Sequence, residues 1–388
     1  MRFVARCSTS DTAADAVVHV TRELAAELGG APDLVIAFTA RHAGEVLTEI
    51  AHHVHADSPG ALVLGATAEA TLSGPRELEG THSISLMAAR LPGVTLTPLQ
   101  FTQARIEAPE PWTTLLRDTP DLRGILVLAD PFSTDVRALL ETSNENHRGV
   151  PVFGGLASAA RTPGGNTLFG PDGPTHEGVV GLAFSGAVRI DTLVSQGCKP
   201  VGKSFIATRC DRNFIHTLRG RPALEVLREV LQELSPADEA LLDNGIFVGR
   251  AIDEYRTHHG RGDFLMQGLL GANPAEGALA IAGEARTGMT VQFHVRDAVS
   301  ADEDLRQLLE ARRTDAAEMR GALLFSCNGR GLRMWQEPNH DAGLIVEALP
   351  GVPVAGFFAA GELGPVGPQS FVHGFTASVA LFSPLTKE

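Results

Sequence analysis

Arg320-Gly321-Ala322-Leu323-Leu324-Phe325-Ser326 runs straight into the turn Cys327-Asn328-Gly329-Arg330-Gly331. A helix-like stretch follows, then Gly351-Val352-Pro353-Val354-Ala355-Gly356-Phe357-Phe358-Ala359-Ala360-Gly361-Glu362, then His373-Gly374-Phe375-Thr376. The same order occurs earlier as Arg123-Gly124-Ile125-Leu126-Val127-Leu128, Gly149-Val150-Pro151-Val152-Phe153-Gly154-Gly155 and His176-Glu177-Gly178-Val179-Val180-Gly181. A short apolar run bounded by glycine reads as a buried strand. Its recurrence says the chain is assembled from duplicated units, whose glycine-rich turns can meet around one cleft.

A third copy lies near the start. Asp33-Leu34-Val35-Ile36-Ala37-Phe38 is a strand-length apolar run, and Val46, Leu47, Ile50 and Val54 then fall at helical spacing. Gly60-Ala61-Leu62-Val63-Leu64-Gly65 and His82-Ser83-Ile84-Ser85-Leu86-Met87 supply two further strands. Each unit therefore reads β-α-β-β, over roughly 33–87, 123–186 and 320–383. The crossover helix makes the first two strands parallel, and the last pairs antiparallel by a hairpin. The predicted fold class is α/β: repeated βαββ units forming mixed sheets with outer helices. Residues 190–318 differ. Short strands suit 191–196, 204–210, 213–218, 245–252, 263–271, 278–285 and 289–297, with helices from Pro222 to Leu234 and from near Asp302. This inserted, mostly antiparallel module has the element order of PAS or profilin-like domains.

The totals narrow the function. At 388 residues the chain holds two or three packed units. A formal net charge of −14 disfavours nucleic acid and anionic membrane as partners, since both recruit clustered positive charge. The four cysteines, Cys7, Cys198, Cys210 and Cys327, form no CxxC pair and no Cys/His ligand cluster. Neither zinc nor a disulfide framework is indicated, and no cofactor is implied. No apolar segment of membrane length or leader type is present, which predicts a soluble, cytoplasmic protein without membrane insertion.

Several segments together resemble the FIST family of small-ligand sensory proteins. They are Gly65-Ala66-Thr67-Ala68-Glu69, Ser195-Gln196-Gly197-Cys198-Lys199-Pro200-Val201-Gly202, Gly220-Arg221-Pro222-Ala223-Leu224-Glu225-Val226-Leu227, Phe325 to Gly331, Gly356 to Pro365, and His373-Gly374-Phe375-Thr376. They are spread over nearly the whole chain. The resemblance implies a FIST N-terminal domain over 1–190, holding two βαββ units, and a FIST C-terminal domain over 191–388, holding the antiparallel module and the third unit. It also implies bacterial signal transduction by recognition of a small molecule such as an amino acid, with a signalling protein as a further partner. The family often sits beside kinase or chemotaxis modules. This chain carries no recognisable kinase, receiver or transmembrane segment, so it reads as a stand-alone sensor or binding subunit.

The turn Cys327-Asn328-Gly329-Arg330-Gly331 sits at the carboxyl end of a strand, where open α/β sheets bind ligands. Gly329 and Gly331 permit positive φ and close backbone approach to an anion, and Arg330 supplies a fork for a carboxylate or phosphate. The alternative is a strand-to-helix turn with a solvated arginine. Glu362, after Phe357, Phe358 and Gly361, suits an ammonium group, so that with Arg330 it fits a zwitterion; otherwise it is a turn glutamate in water. The histidines 82, 176 and 373 recur at corresponding places, which favours a turn-stabilising role, with His373 alone kept for the site. The expected ligand contacts are Cys327, Asn328, Gly329, Arg330, Gly331, Phe357, Phe358, Gly361, Glu362 and His373. No catalytic residue is assigned. Two other classes stay in view: a cysteine-dependent hydrolase or transferase using Cys327 and His373, and a protein-interaction scaffold.

Overall fold

The computed structural model describes residues 1–254, 256, 259, 260 and 262–385. They form two units, one made of residues 1–194, 305–372 and 376 onward, the other of 195–304 with 373–375.

The first unit contains the three repeats. In each, the first and second strands are parallel across a crossover helix: Leu34–Ala40 with Leu62–Ala68, Leu122–Ala129 with Val152–Leu156, and Gly321–Cys327 with Val354–Ala359. The last strand of each repeat, Ser83–Arg90, Val179–Gly186 or Thr376–Pro384, lies antiparallel to the first. The mixed α/β architecture expected from the apolar runs is therefore present. The last strand does not fold back on the second by a hairpin, as expected, but crosses to the far side of the first. A leading strand completes each sheet beyond it: Arg2–Ser8, Val94–Phe101 and Val188–Gln196. The strand expected at 191–196 in the antiparallel module thus belongs to the third repeat's sheet.

Between its second and last strands every repeat extends a short hairpin, and none of these hairpins joins its own sheet. Thr71–Ser73 of the first repeat pairs with Val354–Ala359 of the third. Leu168–Gly170 of the second pairs with Leu62–Ala68 of the first. Glu362–Val366 of the third pairs with Val152–Leu156 of the second. The exchange is cyclic, and the three six-stranded sheets share one strand order.

Both faces of these strands are covered, which is why they read as unbroken apolar runs rather than alternating ones. One parity, including Ile36, Phe38, Leu126, Leu128, Phe153, Leu323, Phe325, Phe357 and Phe382, fills a single core shared by the three sheets. The other parity packs under helices: Val35 and Ala37 under Ala13–Leu28 and Glu45–Asp57, Ile125 and Val127 under Val136–Asn146, Ala322 and Leu324 under His340–Ala348.

The parallel strands approach so closely that Gly65, Gly154 and Gly356 recur at matching places. A Cβ on Gly356 would overlap the carbonyl oxygen of Leu324, and one on Gly154 that of Val127. Such a clash is with backbone, which cannot rotate away. Gly356→Ala is expected to cost about 1–3 kcal/mol. Urea unfolding followed by fluorescence checks this, because both tryptophans, Trp112 and Trp335, lie in the first unit.

The second unit is a closed antiparallel sheet. Cys198–Asp211 pairs with Thr290–Arg296 along its first part and with Phe214–Leu218 along its second, so it joins the two ends. Ile246–Ala251, Phe264–Asn273 and Ala278–Ile281 complete the circuit. The helix Ala223–Gln232 closes its core through Val226, Leu227 and Val230. The helix expected over 222–234 is therefore present.

Candidate functional site

The carboxyl ends of the three second strands converge within the first unit. Ser158 of the second repeat accepts from the Glu69 backbone N–H at 2.9 Å and donates to the Phe358 carbonyl. The Phe358 N–H donates to Ala70 O, and the Leu156 N–H to Gly361 O. Each repeat thus delivers one strand end to a common place, where the turn after Cys327 and the start of the third hairpin at Glu362 lie.

Arg330 is not a solvated turn residue. Its side chain is fully buried and forked onto Asp341, with Nε donating to Oδ2 at 2.6 Å and Nη2 to Oδ1 at 2.8 Å. Asp341 sits in the first turn of His340–Ala348 and also accepts from Ser326 Oγ at 3.0 Å. Burial alone would raise the Asp341 carboxyl, but the guanidinium outweighs it and holds the group well below the usual carboxylate range. The helix begins at Asn339, whose left-handed backbone (φ 68°) turns the chain so that Asp341 faces inward. Trp335 covers the pair: its ring stacks on His340 at 3.4 Å, and the Arg330 guanidinium lies 5.5 Å from its centre.

Glu362 is equally buried. Its Oε2 accepts from the Thr376 N–H at 3.2 Å and from the Thr376 hydroxyl at 2.8 Å. Burial pushes this carboxyl up to about 8, against the opposing pull of Thr376, of the Cys327 thiol within hydrogen-bonding reach, and of Arg330. A water-exposed turn glutamate is therefore excluded.

The first repeat's hairpin clamps the turn from outside. Glu79 accepts from the Leu332 N–H at 2.8 Å, and Arg333 pairs with Glu69 while also reaching Asn328 O at 2.7 Å. Glu77 accepts from the Ala342 N–H at 2.9 Å; its own burial, then the nearby Asp341 charge, raise it to about 7. Gly331 is required here. It is left-handed (φ 58°), and a Cβ would overlap the Glu79 carboxylate. Gly329 does not take up the positive φ expected of it; its N–H turns toward Cys327 Sγ at 3.4 Å.

Of the residues expected at the site, Cys327, Asn328, Gly329, Arg330, Gly331, Gly361 and Glu362 are gathered at this convergence. The ring of Phe357 lies in the shared core, edge-on to Phe325 at 5.6 Å and 4.8 Å from Phe38. Phe358 is buried and contributes its backbone. His373 is buried and belongs to the second unit. His176 bonds the turn at Asn166 O (2.9 Å), in keeping with a structural role. Sequence reasoning passed over Asp341, Trp335 and Glu77. A His-Asp step opening a helix after Asn339 was the available signal for the first.

Five buried polar atoms around this cluster have no hydrogen-bond partner among the described residues: Arg330 Nη1, Glu362 Oε1, Asn328 Oδ1, Trp335 Nε1 and Glu77 Oε2. A groove of about 390 Å³ lies elsewhere on the unit, between His52, His55, Leu62 and Pro174. It gathers none of these atoms.

The FIST N domain matches residues 33–221, and the FIST C domain matches 223–365. The uncharacterized protein Rv0628c of Mycobacterium tuberculosis is 39% identical over 374 residues, covering 95% of each chain. The uncharacterized protein Mb0898c of Mycobacterium bovis is 39% identical over 382 residues, covering 97% of each. Among solved structures, a cyanuic acid hydrolase from A. caulinodans aligns over 99% of this chain and 100% of its own, with 9% identity and a TM-score of 0.34. That likeness is too slight to carry an argument.

Proposed function

This chain belongs to the FIST family of sensory domains, and on that premise we propose that it recognises a small polar metabolite at the Arg330–Glu362 cluster. The observation carrying this reading is the gathering of five unpartnered buried polar atoms at one place, out of nineteen among the described residues. Each such atom costs roughly 1–3 kcal/mol when left without a partner. Where three strand ends meet, a ligand would complete them.

Recognition is reversible and non-catalytic in this reading. A cysteine nucleophile needs a neighbouring base to take its proton. The group beside the Cys327 thiol is Glu362, itself held protonated by burial. None of the four cysteines is in a disulfide, which suits a reducing, cytoplasmic setting. The output would pass to a separate signalling protein.

A thermal-shift screen of amino acids, organic acids and nucleotides tests the reading, since a ligand of the native state raises the midpoint by mass action. At least one compound should do so. Trp335→Phe keeps an aromatic ring over His340 and removes the N–H together with part of the indole; it should weaken that compound at least tenfold, about one hydrogen bond or more. A panel that leaves the midpoint unmoved would retire the proposal.

A further inference from the structure

Glu77 Oε2 lies beside Asp341, and the other four unpartnered atoms are unbalanced in a way that selects a ligand. Arg330 Nη1 and Trp335 Nε1 can only donate, and Asn328 Oδ1 can only accept. Glu362 decides the balance. Its Oε2 accepts from a backbone N–H, which cannot accept in return, as well as from the Thr376 hydroxyl. With Oε2 already accepting twice, a proton on this carboxyl is best placed on Oε1, the oxygen without a partner. The titratable groups facing Glu362 are the Cys327 thiol and the Arg330 guanidinium, and the charge of Arg330 is already met by the two-point contact with Asp341. Beyond Arg330, no further cation among the described residues is seen to favour the ionised form. The upward shift to about 8 agrees, making Glu362 an O–H donor at neutral pH.

We infer, building on the small-ligand reading above, that the cluster takes a small acid or its amide through acceptor oxygens, with Glu362 as a neutral third donor that discriminates against ammonium groups. Among these four atoms, three donors are then set against one acceptor. A carboxylate or carboxamide oxygen satisfies the donors, whereas an ammonium would confront them and a guanidinium, finding only Asn328 Oδ1. The zwitterion expected from pairing Arg330 with an ionised Glu362 is disfavoured on the same count.

The test follows the indole N–H resonance of Trp335 in the full chain, assigned by its loss in Trp335→Phe, during titration with acetate, acetamide or ethylammonium. Acetate or acetamide should shift this resonance and ethylammonium should not. Acetate affinity should fall roughly tenfold per pH unit above pH 8, as the Glu362 proton is lost. In Glu362→Gln, which keeps a donor, that dependence should disappear between pH 7 and 9.5. A shift with ethylammonium alone, or an unchanged pH slope in Glu362→Gln, overturns the assignment of Glu362 while leaving ligand binding intact. Should Glu362→Gln fail to fold, a flat wild-type acetate affinity across pH 8 overturns it equally. Silence from these probes and from the whole metabolite panel would instead sink the small-ligand reading itself.

Discussion

Arg330→Ala is expected to lower the unfolding free energy of the first unit by about 3–5 kcal/mol, read as a fall in the urea midpoint of tryptophan fluorescence. The loss is large because of what remains. Asp341 is buried and holds its charge against burial chiefly through the guanidinium, so truncation leaves a poorly compensated carboxylate in the interior. Ser326 and His340 also reach Asp341, but neither brings a fixed positive charge. Replacing both partners by apolar residues removes the charge together with its need for a partner. Arg330→Met combined with Asp341→Leu should therefore be less damaging than Arg330→Ala alone. A cost below about 1 kcal/mol for Arg330→Ala would mean that the pair is solvated rather than enclosed. The same result forbids treating that variant as a clean binding mutant, which is why Trp335→Phe and Glu362→Gln probe the ligand instead.

The repeats were legible because burial on both faces makes the first and second strands continuous apolar runs, and the crossover helices carry an inward stripe such as Val46, Leu47, Ile50 and Val54. The first two leading strands were not, and the third was expected at 191–196 but assigned to the antiparallel module. Val94–Phe101 is only partly buried and carries Pro98, so it shows neither a full run nor strict alternation. The exchanged hairpins escaped for another reason: Thr71–Ser73 is three residues long, and its partner lies nearly three hundred residues away in the third repeat. Periodicity reports what a segment buries locally and says nothing about distant pairing. The site divides similarly. Arg330 and Glu362 stood out beside glycine turns, yet their exposure was misjudged, because a charged residue's burial depends on its partner. Asp341, fifteen residues after Ser326, resembles an ordinary acidic residue at a helix start until the fold brings it to Arg330.

Raising the pH from 5 to 8 should destabilise the wild-type first unit by about 3–4 kcal/mol relative to Glu362→Gln. The Glu362 carboxyl is pushed up to about 8 in the folded chain, while in the unfolded chain it has its ordinary value near 4.5. Between those values the folded state holds a proton that the unfolded state has released. Stability contributed by the protonated form is thus fully present below the unfolded value and is lost as pH climbs toward 8. The glutamine has no proton to lose, so its curve lacks this term. Comparing the two proteins at each pH also removes the other titrations. Glu77, raised to about 7 by burial and by Asp341, pulls in the same direction in both. His294, lowered to about 4 by burial, belongs to the second unit and does not enter this balance. Asp341 titrates below this window in both. Fluorescence-detected urea curves at pH 5, 6.5 and 8 give the difference directly. Parallel pH profiles for the two proteins would show that Glu362 is ionised in the folded chain, and the donor role assigned to it at the ligand site would fall with that result.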